Sequence, residues 1–101
     1  MNLSTREAEL RRQFENNRVQ FLLTELDTGA VFCEVAKASN NPEKTKRNVG
    51  NARTAFDTIL RFQDGATFDA KEKSEFEQKF SHLKSLLKEL GEDVSRPPLI
   101  S

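Results

Sequence analysis

Tryptophan and tyrosine are absent from this sequence of 101 residues, and histidine and cysteine occur once each. A single cysteine excludes a disulfide within the chain, and one histidine beside it is too few for a typical zinc site. The missing tryptophan and tyrosine are two residue types that often anchor small ligands and tight interfaces. We therefore expect no metal site and no cofactor.

The chain also lacks a long apolar run and an excess of charge of either sign. No stretch approaches the roughly 20 apolar residues of a membrane-spanning helix, and the polar segment Met1–Asn17 lacks the apolar region of a secretory signal. Lys and Arg number 16, as do Asp and Glu, so no net basic field favours nucleic acid or an anionic membrane. The composition predicts a small, soluble, cytoplasmic domain for which nucleic acid is an unfavoured partner and membrane is excluded.

Glycine and proline are scarce, and they stand where helices would begin or end. Ser4 with Glu7 forms a capping box at the start of a first helix. Asn41 is a good N-cap with Pro42 at the first helical position, and Asp69 leads a second capping box. These signals predict helices over about 5–38, 42–63 and 70–90, followed by a tail over 92–101.

Apolar spacing predicts how these helices pack. The segment Val19–Ala38 is apolar over a wide arc, so it needs two neighbours, or one neighbour and a partner chain. Short loops make consecutive helices antiparallel. We expect one all-α domain, a three-helix up-down-up antiparallel bundle with a long first helix, in which Gly29 is the weakest point. The third helix carries the clearest seam, with spacings of four, three, four and three: Phe76, Phe80, Leu83, Leu87 and Leu90.

The extra length of the first helix is the main functional signal. Its start should project past the loop at Gly65, which leaves Leu10 and Phe14 without cover. Exposed apolar groups of this kind mark contact surfaces, and two copies could cover each other in a twofold dimer. We predict a non-catalytic protein-interaction module whose partner is another protein or a second copy, and whose contact residues are Leu10, Phe14, Phe21 and Leu86.

An alternative function uses the basic start of the second helix. Lys44, Arg47 and Asn51 share one helical face, and together with Arg53 they could bind a phosphate group or nucleic acid. No aromatic residue is interleaved, so base stacking is not indicated. Neutral total charge and the usual solvation of charged helix faces count against this hypothesis.

For the residues that could take part in catalysis, a structural role explains the sequence better. His82 has no serine or cysteine nucleophile at a supportive spacing, which indicates a surface position. Cys33 lies in an apolar run without a neighbouring base, which favours packing over a reactive thiolate. Asp27, Arg53 and Asp57 should form a polar cross-link between the first two helices. We expect no catalytic residue and no enzyme activity.

Two short patterns are similar to a known family. Gly29-x-x-Phe32 and Ala52-x-x-x-Phe56 resemble the small and aromatic positions of a tetratricopeptide-type helical hairpin, over about residues 27–60. In that family the glycine lets two helices approach and the aromatic residues fill the groove between them. The resemblance implies an interaction scaffold rather than an enzyme, and it carries over no binding residues.

Overall fold

The computed structural model describes residues 3–94, with side chains from Thr5 onward, and this part of the chain is helical without a strand. Helix α1 spans Leu3–Ala38, α2 spans Pro42–Phe62, and α3 spans Ala70–Glu89. A single 3-10 turn, Gln63–Gly65, follows α2. Every helix boundary lies within two residues of its predicted place. The predicted all-α class and long first helix are confirmed.

Local capping explains where α2 and α3 begin. The side chain of Asn41 accepts hydrogen bonds from the backbone amides of Glu43 and Lys44 at 2.9 and 3.2 Å, and Pro42 follows in the first turn. Asp69 and Glu72 form the reciprocal capping box that starts α3. Helix α1 begins two residues earlier than predicted, and the side chain of the predicted Ser4 cap lies outside the described residues.

Gly91 ends α3 because it adopts a positive φ of 89°, a backbone conformation that favours glycine. Its amide donates to the carbonyl of Lys88, and the amide of Glu92 donates to that of Leu87. This turn returns the chain to the bundle, where Val94 packs against the core. The remainder of the predicted tail, from residue 95, lies outside the described residues.

Helix α1 is the central element, since α2 and α3 both pack on it but touch each other little. That arrangement follows from the wide apolar arc of α1, which has enough buried surface for two neighbours. Fully buried side chains from all three helices meet in one cluster, which includes Leu22, Leu26, Phe56, Ile59, Leu83 and Leu87.

Side-chain contacts between helices show which parts of them lie side by side. Arg18 of α1 donates to the carbonyl oxygen of Gly65, just past α2. Along α1 and α3 the contacts advance together, because Lys79 pairs with Asp27 and Glu89 pairs with Lys37 further on. Along this contact, therefore, α1 and α3 run in the same direction.

The polar cross-link expected between α1 and α2 is corrected in one respect. Arg53 and Asp57 do pair, with Arg53 Nε 3.0 Å from Asp57 Oδ1. Asp27, however, pairs with Lys79 of α3, because its side chain leaves α1 on the side that α3 occupies. The hydrogen bond to Asp27 raises the pKa of Lys79 above its ordinary value.

Gly29 lies where both α2 and α3 approach α1, and α1 continues through it as a helix. A Cβ atom at this position would stand 3.0 Å from Leu83 Cδ2 and 3.4 Å from Ala55 Cβ. The missing side chain therefore makes room for α2 and α3 at once. This close approach offsets the roughly 1 kcal/mol that a glycine inside a helix costs.

Replacing Gly29 by leucine should lower the free energy of unfolding by about 1–3 kcal/mol, since the new side chain would overpack the contact with Leu83. Gly50→Leu is the matched control, because a Cβ atom added at Gly50 would meet no other atom within 4 Å. We expect the control to gain about 0.5–1 kcal/mol of helix propensity. Urea unfolding of both variants measures the difference, and equal stabilities would contradict the close packing.

Candidate interaction surface

The first turns of α1 extend beyond the rest of the bundle. Every side chain of Thr5–Phe14 is exposed, and the molecule measures 59 × 29 × 23 Å. The loop before α3 lies beside α1 on one side of this segment, where Phe68 and Asp69 line a shallow groove with Ala8, Arg11, Arg12, Glu15 and Asn16. We call Thr5–Phe14 the overhang.

Large apolar side chains lie uncovered on and beside the overhang. Leu10 is 49% exposed, Phe14 is 70% exposed and Phe21 is 45% exposed. At 100° per residue these three side chains fall within about 40° of arc, so they form one stripe along α1. The predicted exposure of the start of α1 is therefore present in the structure.

A fourth apolar residue, which is aromatic, joins this stripe from α2. The ring of Phe62 stands edge-on to that of Phe21, with centroids 6.4 Å apart, and Phe62 is itself 47% exposed. Phe62 is not among the contact residues predicted from the sequence. Its position at the end of α2, beside the loop that meets α1, is the sequence feature that could have indicated its place in this surface. We call Leu10, Phe14, Phe21 and Phe62 the apolar patch.

Leu86 does not belong to this surface, and its predicted role in partner binding is wrong for this structure. It is only 5% exposed and lies in the core cluster. The reason is that α3 buries a wider arc than its heptad seam, so that Leu86, beside the seam, is buried together with Leu83 and Leu87. Phe80 of the predicted seam is half-buried instead.

The alternative anion site is only partly assembled. Lys44, Arg47 and Asn51 are exposed as predicted. Arg53 lies on the other side of α2, where it pairs with Asp57, approaches Glu92 at 3.8 Å and donates to the backbone carbonyl of Asp93. The predicted grouping of Arg53 with the other three residues is therefore corrected.

The start of α2 is also a poor place for an anion. Two backbone amides of its first turn, those of Glu43 and Lys44, already donate hydrogen bonds to the side chain of Asn41. They are therefore not available to an anion. The carboxylate of Glu43 adds negative charge to the same turn, which would repel a phosphate group. The exposed lysine and arginine side chains of this face are typical of a helix surface in contact with solvent.

The two residues considered for chemistry, His82 and Cys33, lie on the surface and in the core, respectively. His82 is exposed, as predicted. Cys33 is completely buried, and burial, followed by the charge of Glu34, raises the pKa of its thiol to about 11. Among the described residues no group of three or more histidine, cysteine or acidic side chains could hold a metal ion.

Comparisons with known proteins identify no relative: no family model matches the chain, and no curated protein or solved structure matches it either. The resemblance to a tetratricopeptide-type hairpin therefore stays a prediction. Among the helices described, none is long and apolar enough to cross a membrane.

Burial of Cys33 should make stability depend on pH in the alkaline range. Its pKa rises from 9.0 to about 11 on folding, so the unfolded chain releases the proton first and the free energy of unfolding falls as pH increases between these values. The loss should be on the order of 2 kcal/mol. Urea unfolding at several pH values measures it.

The control for this prediction is Cys33→Ala, whose stability should fall less steeply over the same pH range. The small cavity lowers its stability at every pH, so the slopes are compared rather than the absolute values. Identical slopes for the two proteins would contradict a buried, protonated thiol. The chain contains no tyrosine to titrate in this range.

Proposed function

We propose that this chain is a non-catalytic helical protein-interaction module that binds its partner through the apolar patch. The observation that carries the proposal is the exposure of Leu10, Phe14 and Phe21 on one stripe of a helix that continues past its bundle. Large apolar groups displayed together on a projecting helix fit helix-to-helix recognition, in which such side chains enter the groove of a partner.

The size of the patch limits what it can do alone. Burying a large apolar side chain contributes about 1.5–3 kcal/mol, and the four side chains of the patch are already partly covered. Together they offer on the order of 5 kcal/mol, whereas association itself costs about 4–15 kcal/mol. A stable complex through this patch therefore requires further contacts along α1.

A second copy of the chain is the simplest partner. In a twofold dimer the overhang of each copy contacts the other copy. The apolar side chains of both overhangs are then covered. The neutral total charge of the chain imposes no long-range repulsion between copies. In this form of the proposal the overhang is part of the assembly surface.

Replacing Leu10 and Phe14 together by aspartate should abolish assembly, because each copy would have to bury two charges in the interface. Both side chains are exposed in the single chain, so the helix content should not change and the free energy of unfolding of the monomer should stay within about 0.5 kcal/mol. Light scattering across a dilution series measures the mass, and circular dichroism measures the helix content.

The matched control is Thr5→Asp with Ala8→Asp, which adds the same two charges to the opposite side of the overhang. We expect the control to assemble like the natural sequence. Assembly that survives Leu10→Asp with Phe14→Asp but is lost in the control would place the contact surface on the wrong side of α1. A strict monomer at every concentration would exclude self-association.

A further inference from the structure

A line of uncharged side chains runs along α1 well beyond the apolar patch. Its members recur at alternating spacings of four and three, which is the heptad spacing of a helix-to-helix seam. Six of the eight side chains are exposed and two are half-buried. We call this line the uncharged seam: Leu10, Phe14, Asn17, Phe21, Thr24, Thr28, Val31 and Val35.

The uncharged seam is unusual for a solvent-facing helix side in this protein. Charged residues make up 32% of the chain, yet none stands on the seam over about seven turns of α1. Its second half includes Val31, which is 59% exposed and is covered by neither α2 nor α3. Since α2 and α3 pack on two sides of α1, the seam lies on a third side, which α2 borders with the ring of Phe62 at Phe21.

We infer that the uncharged seam binds the same seam of a second copy of this chain, with the two α1 helices antiparallel and Leu10 level with Val35 of the other copy. This inference depends on the proposed function and adds the identity, direction and register of the partner. It extends the interface from the apolar patch to most of α1, which supplies the further contacts that the patch requires.

The register follows from the sizes and polarities that it places together. In an antiparallel pair each seam position faces a position of the other type. With Leu10 opposite Val35, the next layer places Phe14 opposite Val31, so the two most exposed large apolar side chains cover each other. The remaining layers pair a polar residue with a polar one and an aromatic residue with a small one: Asn17 with Thr28, and Phe21 with Thr24.

The charges beside the seam agree with the antiparallel direction. Arg18 and Glu25 lie on the same edge of the seam, one heptad apart. In an antiparallel pair the same edges face each other in reverse order, so Arg18 of each copy meets Glu25 of the other. The guanidinium of Arg18 has five N–H donors and uses one for the carbonyl of Gly65, which leaves others for this contact.

A parallel pair fits less well. It would place Phe14 against Phe14 and Phe21 against Phe21, while Thr24 and Thr28 would each face their own copy. Bulky and small layers would then alternate, and such uneven layers leave gaps that lower packing density. In that direction Arg18 would face Gln13 and Glu25 would face Gln20 of the other copy, so neither would meet an opposite charge.

Two single-cysteine variants test direction and register. In a background of Cys33→Ala, we would prepare Asn17→Cys and Thr28→Cys separately, and then oxidise each alone and the two after mixing and subunit exchange. In the inferred dimer, residue 17 faces residue 28 of the other copy, within reach of a disulfide. Each position lies about 16 Å from its own counterpart. We expect a linked dimer only in the mixture.

The outcomes separate this inference from the proposed function. Linkage within either single variant would show a parallel pair and overturn the inference, while the apolar patch would remain the contact surface. Light scattering showing a dimer without any linkage would overturn the register, and a monomer at every concentration would overturn the second copy as partner. Loss of assembly in Thr5→Asp with Ala8→Asp alone is the result that overturns the proposed function itself.

A charge exchange gives an independent measurement. Glu25→Arg would set arginine against arginine at two symmetric places and should weaken the dimer about tenfold. Adding Arg18→Glu in the same chain restores opposite charges and should recover most of the affinity. Two variants with equal dissociation constants would contradict the antiparallel edge contact, since a parallel pair brings these residues together at neither place.

Discussion

Helix α1 takes part in nearly all packing between helices, because α2 and α3 both lie against it and touch each other little. This constraint explains the special place of Gly29, where a side chain would collide with Leu83 of α3 and crowd Ala55 of α2. It also explains why Val19–Ala38 is apolar over so wide an arc. A helix that serves two neighbours buries two sides, and its third side remains available to solvent or to another chain.

The helices themselves could be predicted almost residue by residue, because their boundaries are set by local interactions. Asn41 with Pro42 and Asp69 with Glu72 satisfy backbone amides within a few residues of chain, and Gly91 supplies the positive φ that ends α3. The exposure of Leu10 and Phe14 was predictable for a related reason. It follows from a difference in helix length, which needs no knowledge of side-chain orientation.

Two of the misplaced residues, Leu86 and Asp27, share one cause, which is the rotation of each helix about its own axis. Leu86 is buried because α3 turns a broader arc toward α1 than its seam suggests. Asp27 pairs with Lys79 of α3 rather than with α2 for the same reason. Arg53 is a different case, because it stands nine residues after Lys44, about 180° around α2. The helical spacing alone therefore separates Arg53 from the basic face, and its side chain lies by the turn after α3 with Glu92 and Asp93. Spacing along one helix gives its faces but does not determine which neighbour each face meets.

The uncharged seam has the same heptad spacing as the seam of α3, yet a search for apolar residues alone does not find it, since Asn17, Thr24 and Thr28 interrupt it. Its common property is the absence of charge in a chain rich in charge. In the inferred register the overhang of one copy lies against about residues 31–40 of the other, the end of α1 where the seam remains uncovered. The extra length by which α1 projects from its own bundle is thus the length that covers the exposed seam of the second copy.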